Sequence, residues 1–306
     1  MARGLRIGIT VGGEVVGRPG PPAEVVDDVR RAEEDGFASA WTVHFSRAVD
    51  ALTTLTVAGG ATTRIALGVG VVPTYPRHPL ALAQQAATAQ AFCGGRLTLG
   101  VGVSHRPVIE GLHGLPYTSP ADHLREYLAM LVPLLRGEEV AVDGEHHRVH
   151  GGFRVPGAAP VPVLVGALSP RMVRAAREAD GVVTWLAGPR TLGEQIVPDL
   201  GHGKRVVAAL PVAVTDDPDA ARGAAEDVFA RYAALDNYRR LFEREGVDSV
   251  GDLAVAGPEG VVEAAVDRLA DLGVTELWAV PFPTGADTDG AAAQRTRSLL
   301  AELGSR

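Results

Sequence analysis

His44 and His105 are the side chains best suited to acid–base work. Each stands just past a predicted strand, His44 after Ala38–Val43 and His105 after Leu97–Val103. An imidazole in such a place can give or take a proton near neutral pH. Taken singly, either residue reads as readily as an ordinary polar loop residue; falling on one rim of the fold favours the catalytic reading. Arg77 and His78, after the strand Ile65–Val72, add a third polar group to that rim, and Arg77 is a candidate substrate contact. The segment Gly166-Ala167-Leu168-Ser169-Pro170-Arg171 joins a strand to a helix, so free N–H groups, a hydroxyl and a guanidinium converge there. That combination suits a phosphate or another anion, and its plainer alternative is a capped helix with Arg171 in water.

Two strands end in glycine-spaced apolar runs: Ile65-Ala66-Leu67-Gly68-Val69-Gly70-Val71-Val72 and Leu97-Thr98-Leu99-Gly100-Val101-Gly102-Val103. Glycine at a strand end lets the chain bulge, or lets its backbone approach a bound ring closely. The second run continues to Ser104-His105-Arg106-Pro107, which lacks the third glycine and the helix start of a dinucleotide fingerprint. Gly201-His202-Gly203-Lys204 lacks the spacing and the hydroxyl of a P-loop. His146-His147-x-x-His150 falls in a predicted hairpin, where His146 and His150 share a face and His147 takes the other. Without a cysteine or the helical His-Glu-x-x-His order, no metal site is expected. Gly-x-Ser-x-Gly does not occur.

The elements that must position these groups alternate. Strands are predicted at Leu5–Val11, Ala38–Val43, Ile65–Val72, Leu97–Val103, Val161–Gly166, Val182–Trp185, Arg205–Val214 and Val274–Val280. Helices are predicted at Ala23–Asp35, Ala48–Ala61, His78–Phe92, Ser119–Arg136, from Ser169 to Asp180, from Pro189, from Asp217, at Pro258–Leu272 and at Ala291–Leu303. Near-continuous apolar strands joined by helices indicate a parallel sheet covered on both faces. Eight such units in 306 residues, with no linker to split them, predict one (β/α)8 TIM barrel domain spanning residues 1–306. A hairpin at Val140–Val155, turning at Asp143-Gly144, follows a helix and is expected on the stabilising face. The polar, irregular stretch Asp236–Gly257 belongs to a late helical insertion and must reach over the rim to touch a substrate.

Composition excludes several classes. The net charge of −8 and the absence of a basic cluster argue against nucleic-acid binding. No apolar run approaches the roughly 20 residues that span a bilayer. Met1-Ala2-Arg3-Gly4 leads straight into a strand, so no signal peptide is expected. Cys93 is the only cysteine, expected as a packed thiol, and excludes an intrachain disulfide. A soluble, cytoplasmic protein follows.

Quoted together, Arg64–Pro79, Gly94–Gly102, Ala121–Tyr127 and Gly166–Arg171 resemble the luciferase-like monooxygenase superfamily. They look most like its branch using coenzyme F-420, an 8-hydroxy-5-deazaflavin, with FMN as the alternative cofactor. The resemblance covers nearly the whole chain. It implies a barrel with the ring lying across the carboxyl ends of the strands. Gly68, Val69 and Gly70 match a strand-three bulge, often with a non-prolyl cis peptide, behind the ring. Gly102, Val103 and Ser104 match the strand beside it. Gly166, Ala167, Leu168, Ser169 and Arg171 match a loop holding the cofactor tail. Relatives often carry Asp-His where this chain has Val43-His44. Those oxidising sugar phosphates carry glutamate at the place of His105, and phosphate-gripping lysines absent from a chain whose only lysine is Lys204.

The resemblance therefore implies an F-420-dependent oxidoreductase moving a hydride to or from a small organic molecule, with His44 and His105 as acid–base groups. An FMN-dependent two-component monooxygenase and a non-catalytic flavin-binding barrel are the alternatives. The loops expected to line the substrate pocket, including Trp185, are mostly apolar. They suggest a neutral or weakly acidic substrate of the secondary-metabolite kind. Family habit implies a homodimer.

Overall fold

The computed structural model describes residues 5–284 and 290–306; the segment Met1-Ala2-Arg3-Gly4 lies outside the described residues. In chain order the strands are β1 (Arg6–Thr10), β2 (Ser39–Thr42), β3 (Ala66–Pro73), β4 (Leu97–Gly102), β5 (Val140–Asp143), β6 (Arg148–Gly151), β7 (Val163–Gly166), β8 (Gly181–Trp185), β9 (Arg205–Val214), β10 (Val255–Gly257) and β11 (Glu276–Pro281). The helices are α1 (Pro22–Glu34), α2 (Ala51–Gly60), α3 (Pro79–Phe92), α4 (Arg106–Gly111), α5 (Pro120–Leu135), α6 (Pro170–Ala175), α7 (Pro189–Thr191), α8 (Val197–Leu200), α9 (Pro218–Ala233), α10 (Asp236–Glu245), α11 (Glu259–Asp271) and α12 (Ala291–Ser305). A π-helical turn, Leu192–Ile196, joins α7 to α8.

The parallel strands run β9, β11, β1, β2, β3, β4, β7, β8, and β8 pairs back with β9 to close the barrel. The short β10 adds to the end of β9, through Val255 opposite Val212. Local chemistry sets the helix starts. Asp50 caps α2 by accepting the Thr53 N–H at 2.8 Å, which moves the start of that helix to Ala51 from the expected Ala48. Ser169 and Asp217 cap α6 and α9 in the same way, and Pro at the first helical position recurs in α1, α3 and α5.

Two tryptophans fill the barrel. Trp41 of β2 and Trp278 of β11 stack with centroids 5.3 Å apart. The Trp41 N–H donates to Glu276 Oε1 at 2.7 Å and lies 2.9 Å from Ser39 Oγ. Arg205 pairs with the other oxygen of this buried carboxylate at 3.2 Å. The Trp278 N–H donates to Thr10 Oγ1 at 2.6 Å. A barrel of eight strands has just enough interior for side chains, and these rings take the space that glycines leave. A Cβ on Gly68 would come within 2.2 Å of the Trp41 ring.

Both insertions differ from expectation. The hairpin pairs only Val140–Asp143 with Arg148–Gly151, and its connection is Gly144–His147. His146 and His147 therefore sit in the connection and not on alternating strand faces. The expected turn at Asp143-Gly144 is displaced because Glu126 of α5 accepts the N–H groups of Glu145, His146 and His147, fixing a wider bend. The hairpin leaves from the stabilising side, but its tip runs back along α5 toward the other rim. There His147 meets His78, the cap of α3, at 5.6 Å. The stretch expected to be irregular after residue 236 forms α10, whose buried face is Tyr238, Leu241 and Phe242.

The hairpin tip closes over His123, which is 2% exposed. Its Nε2 lies 3.0 Å from Thr74 Oγ1, Tyr75 stacks on it at 3.9 Å, and His146 and His147 lie at 5.1 and 5.4 Å. Glu126, on the same helix, is the one carboxylate facing the cluster. Burial, reinforced by the neighbouring imidazoles, pushes His123 down from 6.5 to about 4. The unfolded chain thus takes up the proton first, and stability present above pH 6.5 is lost as pH falls towards 4. Denaturation curves across this window are expected to show a loss of up to about 3 kcal/mol, and the non-titrating His123→Gln to flatten it.

Candidate active site

A cavity of about 710 Å³ opens at the carboxyl ends of the strands, the face that carries chemistry in barrels of this kind. Its floor is glycine-rich strand backbone covered by the Val71 and Trp278 side chains. Gly70 and Val71 at the end of β3, Gly102 at the end of β4 and Gly166 at the end of β7 all reach it. The peptide Gly70–Val71 is cis, and the register of β3 against β4 shifts between Val69 and Val72. The bulge thus falls at Gly70–Val71, one position beyond its expected centre. Val69 is fully buried in the core, and Gly68 serves by clearing Trp41 instead of lining the cavity.

Val71 packs over Gly102 and Gly166: an added Cβ would clash with Val71 Cγ2 at 2.7 Å at Gly102 and make a tight contact of 3.2 Å with Cγ1 at Gly166. Beside this floor stand Val103, Ser104, Ala167, Leu168 and Ser169, all on the cavity. Ser104 holds φ 59°, and its carbonyl accepts the Tyr117 hydroxyl at 3.2 Å. A left-handed serine against a cavity is the kind of conformation that persists where surroundings over-determine it.

His44 and His105 both line the cavity, as their places after β2 and β4 require. His44 Nδ1 accepts the N–H of Ala51, the first residue of α2, at 3.4 Å. A backbone N–H can only donate, so the neutral ring carries its proton on Nε2. Burial, with the nearby Arg77 guanidinium, lowers the pKa of His44, and the positive end of α2 acts in the same sense. His44 is therefore a neutral N–H donor near pH 7. Burial also lowers His105, whose ring lies 6.0 Å from that of Tyr238.

Arg77 does not reach the cavity. Its guanidinium pairs with Asp50 at 2.6 Å and Gln85 at 2.6 Å, and its carbonyl accepts the Tyr127 hydroxyl. Against the cost of burial, the Thr53 N–H and Arg77 hold Asp50 at about 2. Arg77 thus clamps α2 to α3, a use its position alone could not distinguish from substrate binding. Arg171 also turns away; its side chain is 72% exposed and faces Asp122 at 3.9 Å. Trp185 does form a cavity wall.

Three aromatic residues were missed by reading strand ends alone: Trp278 forms part of the floor, Tyr232 comes from α9 and Tyr238 from α10, while Phe45 lies in the expected lining loop after His44. Helices α9 and α10 lie across the mouth. Arg231 donates to the Val15 carbonyl at one side, and Arg244 to the Leu168 carbonyl, at 3.1 Å, on the other. The insertion is thus a roof. The amphipathic run Tyr238, Leu241, Phe242 was the available signal for it.

A family model described as luciferase-like monooxygenase matches residues 1–276. The chain belongs to this family. Among relatives of this luciferase-like protein is a 5,10-methylenetetrahydromethanopterin reductase of Methanolobus tindarius, 27% identical over 296 residues, covering 85% of this chain and 90% of the relative. Another is an F-420-dependent glucose-6-phosphate dehydrogenase of Intrasporangium calvum, 31% identical over 217 residues, covering 65% of this chain and 64% of the relative. The solved coenzyme F-420-dependent tetrahydromethanopterin reductase of Methanopyrus kandleri superposes with TM-score 0.79 at 22% identity, over 98% of both chains.

A Cβ on Gly70 would lie 2.4 Å from the Trp278 ring. Gly70→Ala is expected to lose about 1–3 kcal/mol in urea denaturation, the usual cost of overpacking, and to displace the cavity floor.

Proposed function

We propose that this protein is a coenzyme F-420-dependent oxidoreductase that reduces a small organic substrate. The observation that carries the reading is the low floor at the ends of β3, β4 and β7, where Val71 and Trp278 lie over Gly70, Gly102 and Gly166, on one cavity with the N–H donor His44. A flat ring fits there because glycine at these positions lets Val71 and Trp278 pack down against the strands and not stand into the cavity. Gly70, Val71, Gly102 and Val103 would support its face, with Ser104, Gly166, Ala167, Leu168 and Ser169 along its edge and tail. When bound, the deazaflavin supplies or receives a hydride.

The chain's own part is to orient, to exclude water and to polarise. His44, neutral and with Nδ1 occupied, does not suit the role of general base. It donates from Nε2 to an oxygen on which negative charge develops, much as a neutral histidine at a helix start polarises a carbonyl. The helix roof keeps water from that oxygen and strengthens the hydrogen bond. His105 stands at the β4 edge of the floor, where it can support the ring or the substrate. Sugar phosphate is disfavoured: Lys204, the one lysine, is bonded to the carbonyls of Arg177 and Ala179.

Two features of the setting belong to the same proposal. The single cysteine, Cys93, is a buried free thiol that burial pushes up to about 11, and a chain without a disulfide fits a reducing compartment such as the cytoplasm. Among the described residues no helix is long and apolar enough to cross a membrane. Helices α2 and α3 carry no charged residue, and their outer side exposes Val57 and Phe92 (60% and 66%) around a shallow groove. An uncharged, apolar face of this kind is compatible with an identical copy of itself and supports a homodimer.

Titration is expected to show binding of coenzyme F-420. Binding of FMN instead would move the protein to the oxygen-activating reading, and binding of neither would leave a non-catalytic barrel. His44→Ala is expected to lower kcat about 100-fold with cofactor affinity unchanged, and His44→Gln, which keeps a donor, to recover part of it. Unchanged turnover in His44→Ala removes that role. Light scattering is expected to report a dimer for the native chain and a monomer for Phe92→Glu.

A further inference from the structure

Resting on the reading above, we infer that the substrate is a flat, uncharged compound with a conjugated carbonyl, held between the roof and Trp278 with its oxygen on His44. Beyond the backbone floor, the cavity is walled by Phe45, Trp185, Tyr232, Tyr238 and Trp278, in a chain whose aromatic content is only 5%. Trp185, Tyr232 and Tyr238 form one continuous stack of edges and faces, with centroids 5.6 and 5.0 Å apart. The polar tips of two rings are engaged elsewhere. The Trp278 N–H donates to Thr10, and the Tyr232 hydroxyl accepts from Arg231. What remains towards the cavity is mostly apolar ring surface, which favours a planar partner, with the buried Trp185 Nε1–H left without a protein acceptor.

Charge sorts the two ends of the cavity. The three charged residues that reach it, Arg106, Asp236 and Arg240, are all exposed at its mouth. Arg106 pairs with Glu110, and Asp236 pairs with Arg239. Arg231 stands behind the wall, over Phe45 at 5.5 Å and Tyr232 at 4.9 Å, and is bonded to the Val15 carbonyl. A phosphate or carboxylate among these rings would lose its water without gaining a counter-charge. The directed polar groups on the cavity that have no partner among the described residues include the His44 Nε2–H, the Trp185 Nε1–H and the Thr184 hydroxyl, each able to meet an acceptor.

These demands meet in a conjugated carbonyl. With the reduced deazaflavin bound, its hydride would bond to the β-carbon as the C=C π bond breaks. The electron pair would pass to the oxygen held by His44, and a solvent proton would complete the α-carbon once the enolate meets water at the cavity mouth. The cofactor is left oxidised by two electrons, and nothing else is consumed.

Coumarin, a flat uncharged lactone, and coumarin-3-carboxylate separate the possibilities by quenching of tryptophan fluorescence, which needs no turnover. Coumarin is expected to bind, and its carboxylate at least about tenfold more weakly. Tyr232→Ala is expected to weaken coumarin about tenfold while Tyr232→Phe, which keeps the ring, does not; His44→Ala weakens it and His44→Gln restores it. Equal or tighter binding of the carboxylate overturns the inference, as does indifference of coumarin to Tyr232→Ala and Tyr232→Phe alike. A protein that binds the deazaflavin but not coumarin loses this substrate class and keeps its function. One that binds coumarin but not the deazaflavin keeps the aromatic pocket and loses the hydride-transfer reading.

Discussion

The stack of Trp41 on Trp278 is the constraint on which the structure depends. Two indoles inside a barrel of eight strands leave room for little else, and the neighbouring strands answer with glycine. Gly68 makes way for Trp41 and Gly70 for Trp278, while Gly8 makes way for Ser39, which accepts the Trp41 N–H and donates to Glu276. The stack is tethered at its base by Glu276, which accepts the Trp41 N–H and pairs with Arg205. Removing one partner of such a buried charged network costs more than its formation gains, because the remaining charge stays desolvated. Packing, polar satisfaction and backbone choice are therefore one problem in this core. The upper indole belongs equally to the active site, where Trp278 is floor as well as core.

From that floor the site divides by strand. β3, β4 and β7 contribute glycine backbone under Val71, β8 and β11 contribute Trp185 and Trp278, the loops after β2 and β4 contribute His44 and His105, and the roof contributes tyrosines. Backbone surface is shaped by what glycine omits, so it can receive a flat cofactor without committing to a substrate. Side chains commit, and here they commit to apolar contact. His44 shows how a small contact decides chemistry. Its ring would pass for an acid–base catalyst by composition, yet the Ala51 N–H at the start of α2 assigns the proton to Nε2. The cap of that helix, Asp50, is in turn fixed by Arg77, so the arginine acts on the site through the helix and not by touching a ligand.

Much of this was legible in the residues. Alternating strands and helices fixed by proline and glycine punctuation point to the barrel, and barrel topology alone assigns His44, His105 and the glycine runs to one rim. Local rules failed where distant partners decide. Nothing near Asp143 reveals that Glu126 will gather three consecutive N–H groups and widen the hairpin turn. Arg77 and Arg171 look alike beside their strand ends, but one finds Asp50 and the other faces solvent. Tyr232 and Tyr238 are far from any strand end, and only the path of α9 and α10 across the mouth brings them to the cavity.

That path also explains how one fold can serve different substrates. The roof is held at both edges by arginines donating to main-chain carbonyls, those of Val15 and Leu168, which any sequence in those loops could supply. The faces between the two latches are free to vary without disturbing the barrel. In this chain they carry tyrosines and no inward charge, and the same frame with lysines at those positions would accept an anion. Specificity is thus carried by the least constrained part of the molecule, set above a floor that the tryptophan stack leaves almost no freedom to change.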